Sequence, residues 1–314
     1  MTTKAGETKH GMKIGILGAG ALGGLYGAYL TANNEDVVLL DVWEEHVTRI
    51  NETGLRVEQP NRDDIVVRPS ASTNTKGVNA VDVLFLFVKS YHTKSAMNAN
   101  ESLYNDETTV VTLQNGLLNM EYIQEYVPSD NVVGGATTMG SSMEGPGHVL
   151  HTGWGDTKIG GNDADRVETV TDLLTDAGIE TTAVDDPRAH IWAKQFVSVG
   201  IKPVAALTGL LDGPLSDHRE STHVMNQLVE EAVAVAESKG IEILGDPVAE
   251  THHNCQVNYD TMSSMLEDVR NERPTEIDQI NGAIVEYANE EGVDVPYNQM
   301  ATNLVKAKER SYSN

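Results

Sequence analysis

The sequence contains a single cysteine, Cys255. That excludes an intramolecular disulfide and any cysteine-rich metal centre, and Cys255 reads as a small packed hydrophobe. Basic residues are scarce: 22 Lys and Arg stand against 47 Asp and Glu, a formal net charge of −25. Nucleic acid and anionic membranes are held by clusters of Lys and Arg, and the sequence has none, so neither is expected as a partner. The acids are dispersed rather than gathered in a tail, which reads as a surface kept soluble in concentrated salt. No apolar run approaches the roughly 20 residues that span a bilayer. Met1–Gly11 is polar and lacks the apolar core of a secretory signal; it reads as a loose tail, and the protein as cytoplasmic. The ten histidines include no HExxH-type pair, and His252 and His253 are adjacent, hence on different helix faces, so no metal site is expected.

What is present begins at Lys13. Lys13–Leu17 is a short β-branched apolar run suited to a buried strand, and it leads directly into Gly18-x-Gly20-x-x-Gly23. A helical pattern follows, with Leu22, Leu25, Tyr26, Tyr29 and Leu30 on one face. In such a strand–turn–helix unit Gly18 permits the tight turn, Gly20 lets the backbone approach a pyrophosphate, and Gly23 lets helix and strand pack closely. The intervening Ala19, Ala21 and Leu22 complete the turn, and the helix N-terminus offers unpaired N–H groups to phosphate. Val37–Leu40 is a second apolar run, ending in Asp41 twenty-three positions after Gly18. A carboxylate there accepts a hydrogen bond from a ribose 2′-hydroxyl. Together these features point to a dinucleotide site.

At 314 residues the chain has room for two cores. Its first half alternates apolar runs with helical patterns, the signature of a parallel sheet covered by helices. Glu44–Thr53 reads as a helix, and Leu55–Glu58 with Ile65–Arg68 as a hairpin-like insertion. Val83–Val88 and Thr109–Leu113 read as buried strands that deliver Lys89-Ser90-Tyr91 and Gln114-Asn115-Gly116 to the carboxyl edge, where ligands bind in open α/β sheets. After Asp186-Pro187, a helix cap and first residue, the pattern is helical: His190–Ile201, His223–Lys239, Pro247–Arg270, Thr275–Asn289 and Tyr297–Lys308. The expected architecture is α/β, an N-terminal Rossmann-type dinucleotide-binding domain over residues 12–186 and a C-terminal all-helical domain over residues 187–314.

Two helical stretches carry polar candidates. Lys194, Ser198 and Lys202 are four apart and share one stripe of a helix that otherwise buries Ile191, Trp192, Phe196 and Val199. Lys194 there is either a snorkelling stem or a positioned acid. Glu276 falls in the first turn of the Thr275–Asn289 pattern, where the helix dipole favours a carboxylate, and Ser264 is by spacing an ordinary polar helix residue.

The same stretches carry a likeness. From Lys13 to about Tyr312 the chain resembles ketopantoate reductases (2-dehydropantoate 2-reductases), in GAGALG at 18–23, VKSYHT at 88–93, QNGL at 114–117, PGHVLH at 146–151, IWAK at 191–194, ALTG at 206–209 and SSMLEDVRNERPTEIDQINGAIVEYANEEGVDVPYN at 263–298. The resemblance implies reduction of the ketone of ketopantoate to D-pantoate, on the path to pantothenate and coenzyme A. It implies Lys194 as general acid, Glu276 as the carboxylate that orients it, Ser264 as a holder of the substrate carboxylate, and Asn115 and Lys89 beside the cofactor with Glu276. Three positions depart from the family's asparagines: Ser198, Lys202 and Asp212. Lys202 is expected to bind the substrate carboxylate by charge and, about 12 Å from Lys194 along a helix axis, to leave its pKa little changed. Members that use NADPH usually carry a basic residue where Asp41 stands, so NADH is the expected cofactor, with NADPH the alternative. The other readings are a D-mandelate-type dehydrogenase acting on another 2-oxoacid and a non-catalytic NAD-binding sensor. The small-molecule 2-oxoacid is the expected partner, and the helical half of such enzymes often supplies a homodimer contact.

Overall fold

The computed structural model describes residues 11–313, so the tail expected over Met1–Gly11 lies, but for Gly11, outside the described residues. The chain separates into two compact units. Of the described residues, the first comprises 11–88, His92–Leu113 and Tyr122–Asp185; the second comprises Lys89–Tyr91, Gln114–Glu121 and 186–313.

In the first unit an eight-stranded sheet runs in the spatial order Thr181–Ala183, Thr157–Gly161, Val132–Thr137, Thr109–Thr112, Val83–Leu86, Lys13–Leu17, Asp36–Leu40 and Ser70–Ser72. Every pairing is parallel except that of Thr157–Gly161 with Val132–Thr137. Parallel strands covered on both faces need continuous apolar sequence. Ile14, Ile16, Leu84, Phe85, Val110 and Val111 accordingly show no exposure. The helix Ala21–Ala32 buries Leu25, Tyr26 and Leu30 completely. Leu55–Glu58 and Ile65–Val67 pair antiparallel, as the hairpin-like pattern suggests. They join His148–Gly153 and Gly140–Gly145 in a second, four-stranded sheet.

The second unit is helical, and three of its elements differ from the sequence pattern. Asp186 caps the helix Pro187–Thr208 by accepting the Arg188 N–H at 2.9 Å. This helix does not stop before Lys202-Pro203 but runs on to Gly209, whose φ of 78° terminates it. Pro203 forfeits one backbone donor, yet it and Val204, Ala205 and Ala206 are buried, and packing outweighs the lost bond. Conversely, the pattern over Pro247–Arg270 breaks into Pro247–Val257 and Ser264–Arg270. The second piece starts anew because Ser263 accepts the Leu266 N–H. Finally, Thr275–Asn289 is helical only from Asn281, the helix being Asn281–Glu291. Glu276 therefore opens a tight turn, its carbonyl accepting from Gln279 and Ile280, and is not in a helical first turn. The remaining long helices are Arg219–Ser238 and Pro296–Glu309.

Candidate active site

The glycine turn of the first unit follows Lys13–Leu17. Gly18 has φ 94°, and a Cβ there would lie 2.6 Å from the Val88 nitrogen. At Gly23 a Cβ would lie 1.9 Å from the Gly18 carbonyl oxygen, so only glycine lets the helix sit this close to the turn. Gly20, by contrast, has open space: a Cβ would meet nothing within 4 Å. Gly20 is also the N-cap of Ala21–Ala32 with no side chain capping the helix. An uncapped N-terminus facing open space suits a pyrophosphate, so these residues fit a dinucleotide. Ala19 is fully buried, while Ala21 and Leu22 are partly exposed. Asp41, at the end of Asp36–Leu40, accepts the Trp43 N–H at 3.0 Å through Oδ1.

The second unit gathers a cluster of charges. Glu276 is 6 % exposed. Its Oε1 accepts the Ser90 backbone N–H at 3.1 Å and the Ser90 hydroxyl at 3.0 Å. Its Oε2 accepts from Asn115 Nδ2 at 3.4 Å and lies 3.8 Å from Lys89 Nζ. Lys89 also donates to Asp268 at 2.8 Å, and Arg273 sits 3.5 Å from the other oxygen of that carboxylate. Burial alone would raise the Glu276 pKa, but Lys89, Lys202 and the two Ser90 hydrogen bonds outweigh it and hold the carboxyl below its usual value. Burial likewise opposes the charge on Lys89, yet Glu276 and Asp268 push its pKa up. Burial prevails at Asp268, whose pKa is raised despite Lys89.

Lys194, Ser198 and Lys202 lie on one stripe of Pro187–Thr208, Ser198 being 6 % exposed and the two lysines half-buried. Burial, then the like charge of Lys202, push the Lys194 pKa down to about 8, against the pull of Glu276. Lys202 is thus a cause of the lowering, second to burial, where it was expected to leave Lys194 little changed. Rise along an axis separates Cα atoms, whereas the long side chains of both lysines come within the field of the same carboxylate. Burial also lowers Lys202, opposed chiefly by Glu276 and by Asp212. Asp212, 6 % exposed, has an Oδ1 with no hydrogen-bond partner, and burial pushes its pKa up to about 6 against Lys202 and a bond from the Ser263 N–H. Ser264, first residue of Ser264–Arg270, is half-buried.

Two members of this cluster, Ser90 and Asp268, carry no sequence signature of their own. The available signals were positional: Ser90 follows Lys89 at a strand end, and Asp268 lies one helical turn beyond Ser264. Among the described residues no group of three His, Cys, Asp or Glu is arranged to hold a metal, and no helix is long and apolar enough to cross a membrane.

Comparison with known proteins places nearly the whole chain among relatives. The family described as ketopantoate reductase PanE/ApbA matches residues 14–164, and its C-terminal counterpart matches residues 186–309. The 2-dehydropantoate 2-reductase of Halobacterium salinarum is 36 % identical over 303 residues, covering 95 % of this chain and 99 % of that protein. That of Pyrococcus horikoshii is 35 % identical over 301 residues, covering 95 % and 98 %. Among solved structures, a PanE/ApbA family ketopantoate reductase from Ralstonia eutropha has a TM-score of 0.88 at 29 % identity, over 96 % of this chain and all of that one. A D-mandelate dehydrogenase with NADH and anilino(oxo)acetate has a TM-score of 0.89 at 29 % identity and the same coverage.

Proposed function

The chain belongs to the ketopantoate reductase family, and on that premise we propose that it is a cytoplasmic 2-dehydropantoate 2-reductase that converts ketopantoate to D-pantoate with NADH. The observation that carries this reading is the placing of Lys194 with Ser198 and Lys202 on one stripe of Pro187–Thr208, in the field of the buried and hydrogen-bonded Glu276; burial and Lys202 lower its pKa to about 8. A general acid works best with a pKa near the operating pH, where it is still protonated but gives up its proton readily.

Residues 12–186 serve the dinucleotide and residues 187–314 the substrate, with Lys89–Tyr91 and Gln114–Glu121 contributing to the second role. The turn Gly18–Gly23 takes the pyrophosphate through Gly20 and the helix N-terminus, and Asp41 accepts from the adenosine ribose. A fixed carboxylate at that point repels a 2′-phosphate, hence the preference for NADH over NADPH. The reduced nicotinamide, when bound, supplies a hydride to the ketone carbon. Lys194 Nζ then gives its proton to the carbonyl oxygen, which removes the cost of a free alkoxide. Glu276 keeps that lysine charged and oriented, and Ser90, Lys89 and Asn115 fix the carboxylate in turn. Ser264 and Lys202 hold the substrate carboxylate, while Ser198 and Asp212 line the polar side of the substrate.

A second reading, a D-mandelate-type dehydrogenase acting on another 2-oxoacid, is supported by Ser198, Lys202 and Asp212 standing where the family has asparagines, and by the likeness to D-mandelate dehydrogenase. The test is oxidation of NADH and of NADPH with ketopantoate and with benzoylformate, beside Lys194→Ala. Turnover of ketopantoate with NADH, reduced by about 10³-fold in Lys194→Ala, is the expected result. Activity confined to benzoylformate would move the reading to the second enzyme. NADPH used as well as NADH would overturn the role given to Asp41.

A further inference from the structure

One buried imidazole of the first unit stands directly behind the glycine turn. His46, in the helix Glu44–Thr53, shows no exposure, and both its ring nitrogens are engaged. Nδ1 lies 2.9 Å from the backbone nitrogen of Gly147, and Nε2 lies 2.9 Å from the carbonyl oxygen of Ala19. A backbone N–H only donates, so Nδ1 is the acceptor and Nε2 carries the proton that goes to Ala19. Burial lowers the imidazole pKa, partly offset by the bond to Ala19 and by Asp41, so the ring is neutral and this tautomer is retained.

Ala19 is the second residue of the glycine turn, which makes the direction of its carbonyl consequential. The peptide linking Ala19 to Gly20 is planar, and in a trans peptide C=O and N–H point in opposite directions. A histidine that draws the Ala19 oxygen to itself therefore turns the Gly20 N–H the opposite way, away from His46. The other partner is equally constrained: Gly147 has φ 71°, and a Cβ there would lie 2.5 Å from Arg49 Cγ. The PGHVLH segment thus supplies the N–H that locks the ring. On its face the imidazole stacks against Trp43, with centroids 5.3 Å apart and planes at 13°. Trp43 is 40 % exposed, and its backbone N–H donates to Asp41 Oδ1.

We propose that His46 is a positioning residue for the dinucleotide: it aims the Gly20 N–H at the pyrophosphate and links the phosphate turn to the Asp41–Trp43 ribose end. This rests on the reading that the Gly18–Gly23 turn receives a dinucleotide. The role concerns binding and not the hydride or proton steps.

The test uses NADH and ADP-ribose, which keeps the pyrophosphate but has no nicotinamide, titrated against wild type, His46→Ala, His46→Gln and His46→Asn. His46→Ala should weaken both ligands by about ten-fold, the scale of one lost hydrogen bond to a ligand-binding turn. The KM for the 2-oxoacid and kcat at saturating NADH should stay within about two-fold. Gln can place a donor where Nε2 stands and should restore most of the affinity; Asn, which reaches only the Nδ1 position, should behave as Ala. The Gln–Asn comparison also keeps the test decisive if His46→Ala does not fold. Equal affinities across folded variants would overturn the role of His46 while leaving the dinucleotide reading intact. A wild-type protein that binds neither NADH, NADPH nor ADP-ribose would overturn both.

Discussion

Ser90 donates twice to one oxygen of Glu276, through its backbone N–H at 3.1 Å and its hydroxyl at 3.0 Å, across 186 residues of chain. The same hydroxyl is in contact with the Asn115 carbonyl oxygen. A carboxylate that is almost wholly buried is tolerable only when its lone pairs are filled. Ser90 and Lys89 do that here, and they leave Glu276 negative and fixed beside the two lysines of the long helix.

Ser90→Ala removes the hydroxyl bond and keeps the N–H. Glu276 then binds a proton more readily, because one interaction favouring its charged form is gone. The acid limb of the kcat profile should move to higher pH, while kcat at neutral pH, where Glu276 stays ionised, should change little. An unchanged acid limb would show that Glu276 does not govern it.

Lys202→Met tests the coupling of the two lysines. Lys202 depresses the Lys194 pKa, so its removal should let that pKa rise from about 8. Activity that depends on protonated Lys194 is lost as pH rises through this value. The alkaline limb should therefore shift upward, by on the order of one pH unit, with KM for the 2-oxoacid raised if Lys202 holds the carboxylate. A pH–rate series at saturating NADH measures both.

Asp212 predicts a stability effect. Its folded-state pKa, raised from 3.8 to about 6, exceeds the unfolded value, so the native state binds more protons between these limits. Stability consequently falls as pH rises from about 4 to about 6. Asp212→Asn removes that titration and should stabilise the protein at pH 7 by about 3 kcal/mol, with no gain below pH 4. Urea unfolding at the two pH values decides it.

The net charge of −25 predicts a dependence on salt. Screening weakens repulsion among dispersed acids, so the melting temperature should rise by several degrees between dilute buffer and molar KCl. A melting temperature indifferent to salt would remove the case for a salt-adapted surface.

What the sequence determined by itself is local. Gly18-x-Gly20-x-x-Gly23 announces its turn because the positive φ of Gly18 and the close approach of Gly23 to the Gly18 carbonyl are demands set within six residues. Asp186-Pro187 announces a helix start because capping involves only the next two or three N–H groups. The Glu44–Thr53 helix and the Leu55–Val67 hairpin follow from periodicity and turn residues in the same way. The tertiary structure decided the rest. Packing carries the long helix through Pro203, which local propensity would end there, and Ser263 restarts a helix inside a pattern that reads as continuous. Glu276 looked like a carboxylate at a helix dipole and is instead a buried anion supplied by Ser90, Lys89 and Asn115. The acidity of Lys194 depends on burial and on Lys202 and Glu276 together. Desolvation and Coulomb interaction act through space, so no spacing along the chain encodes them.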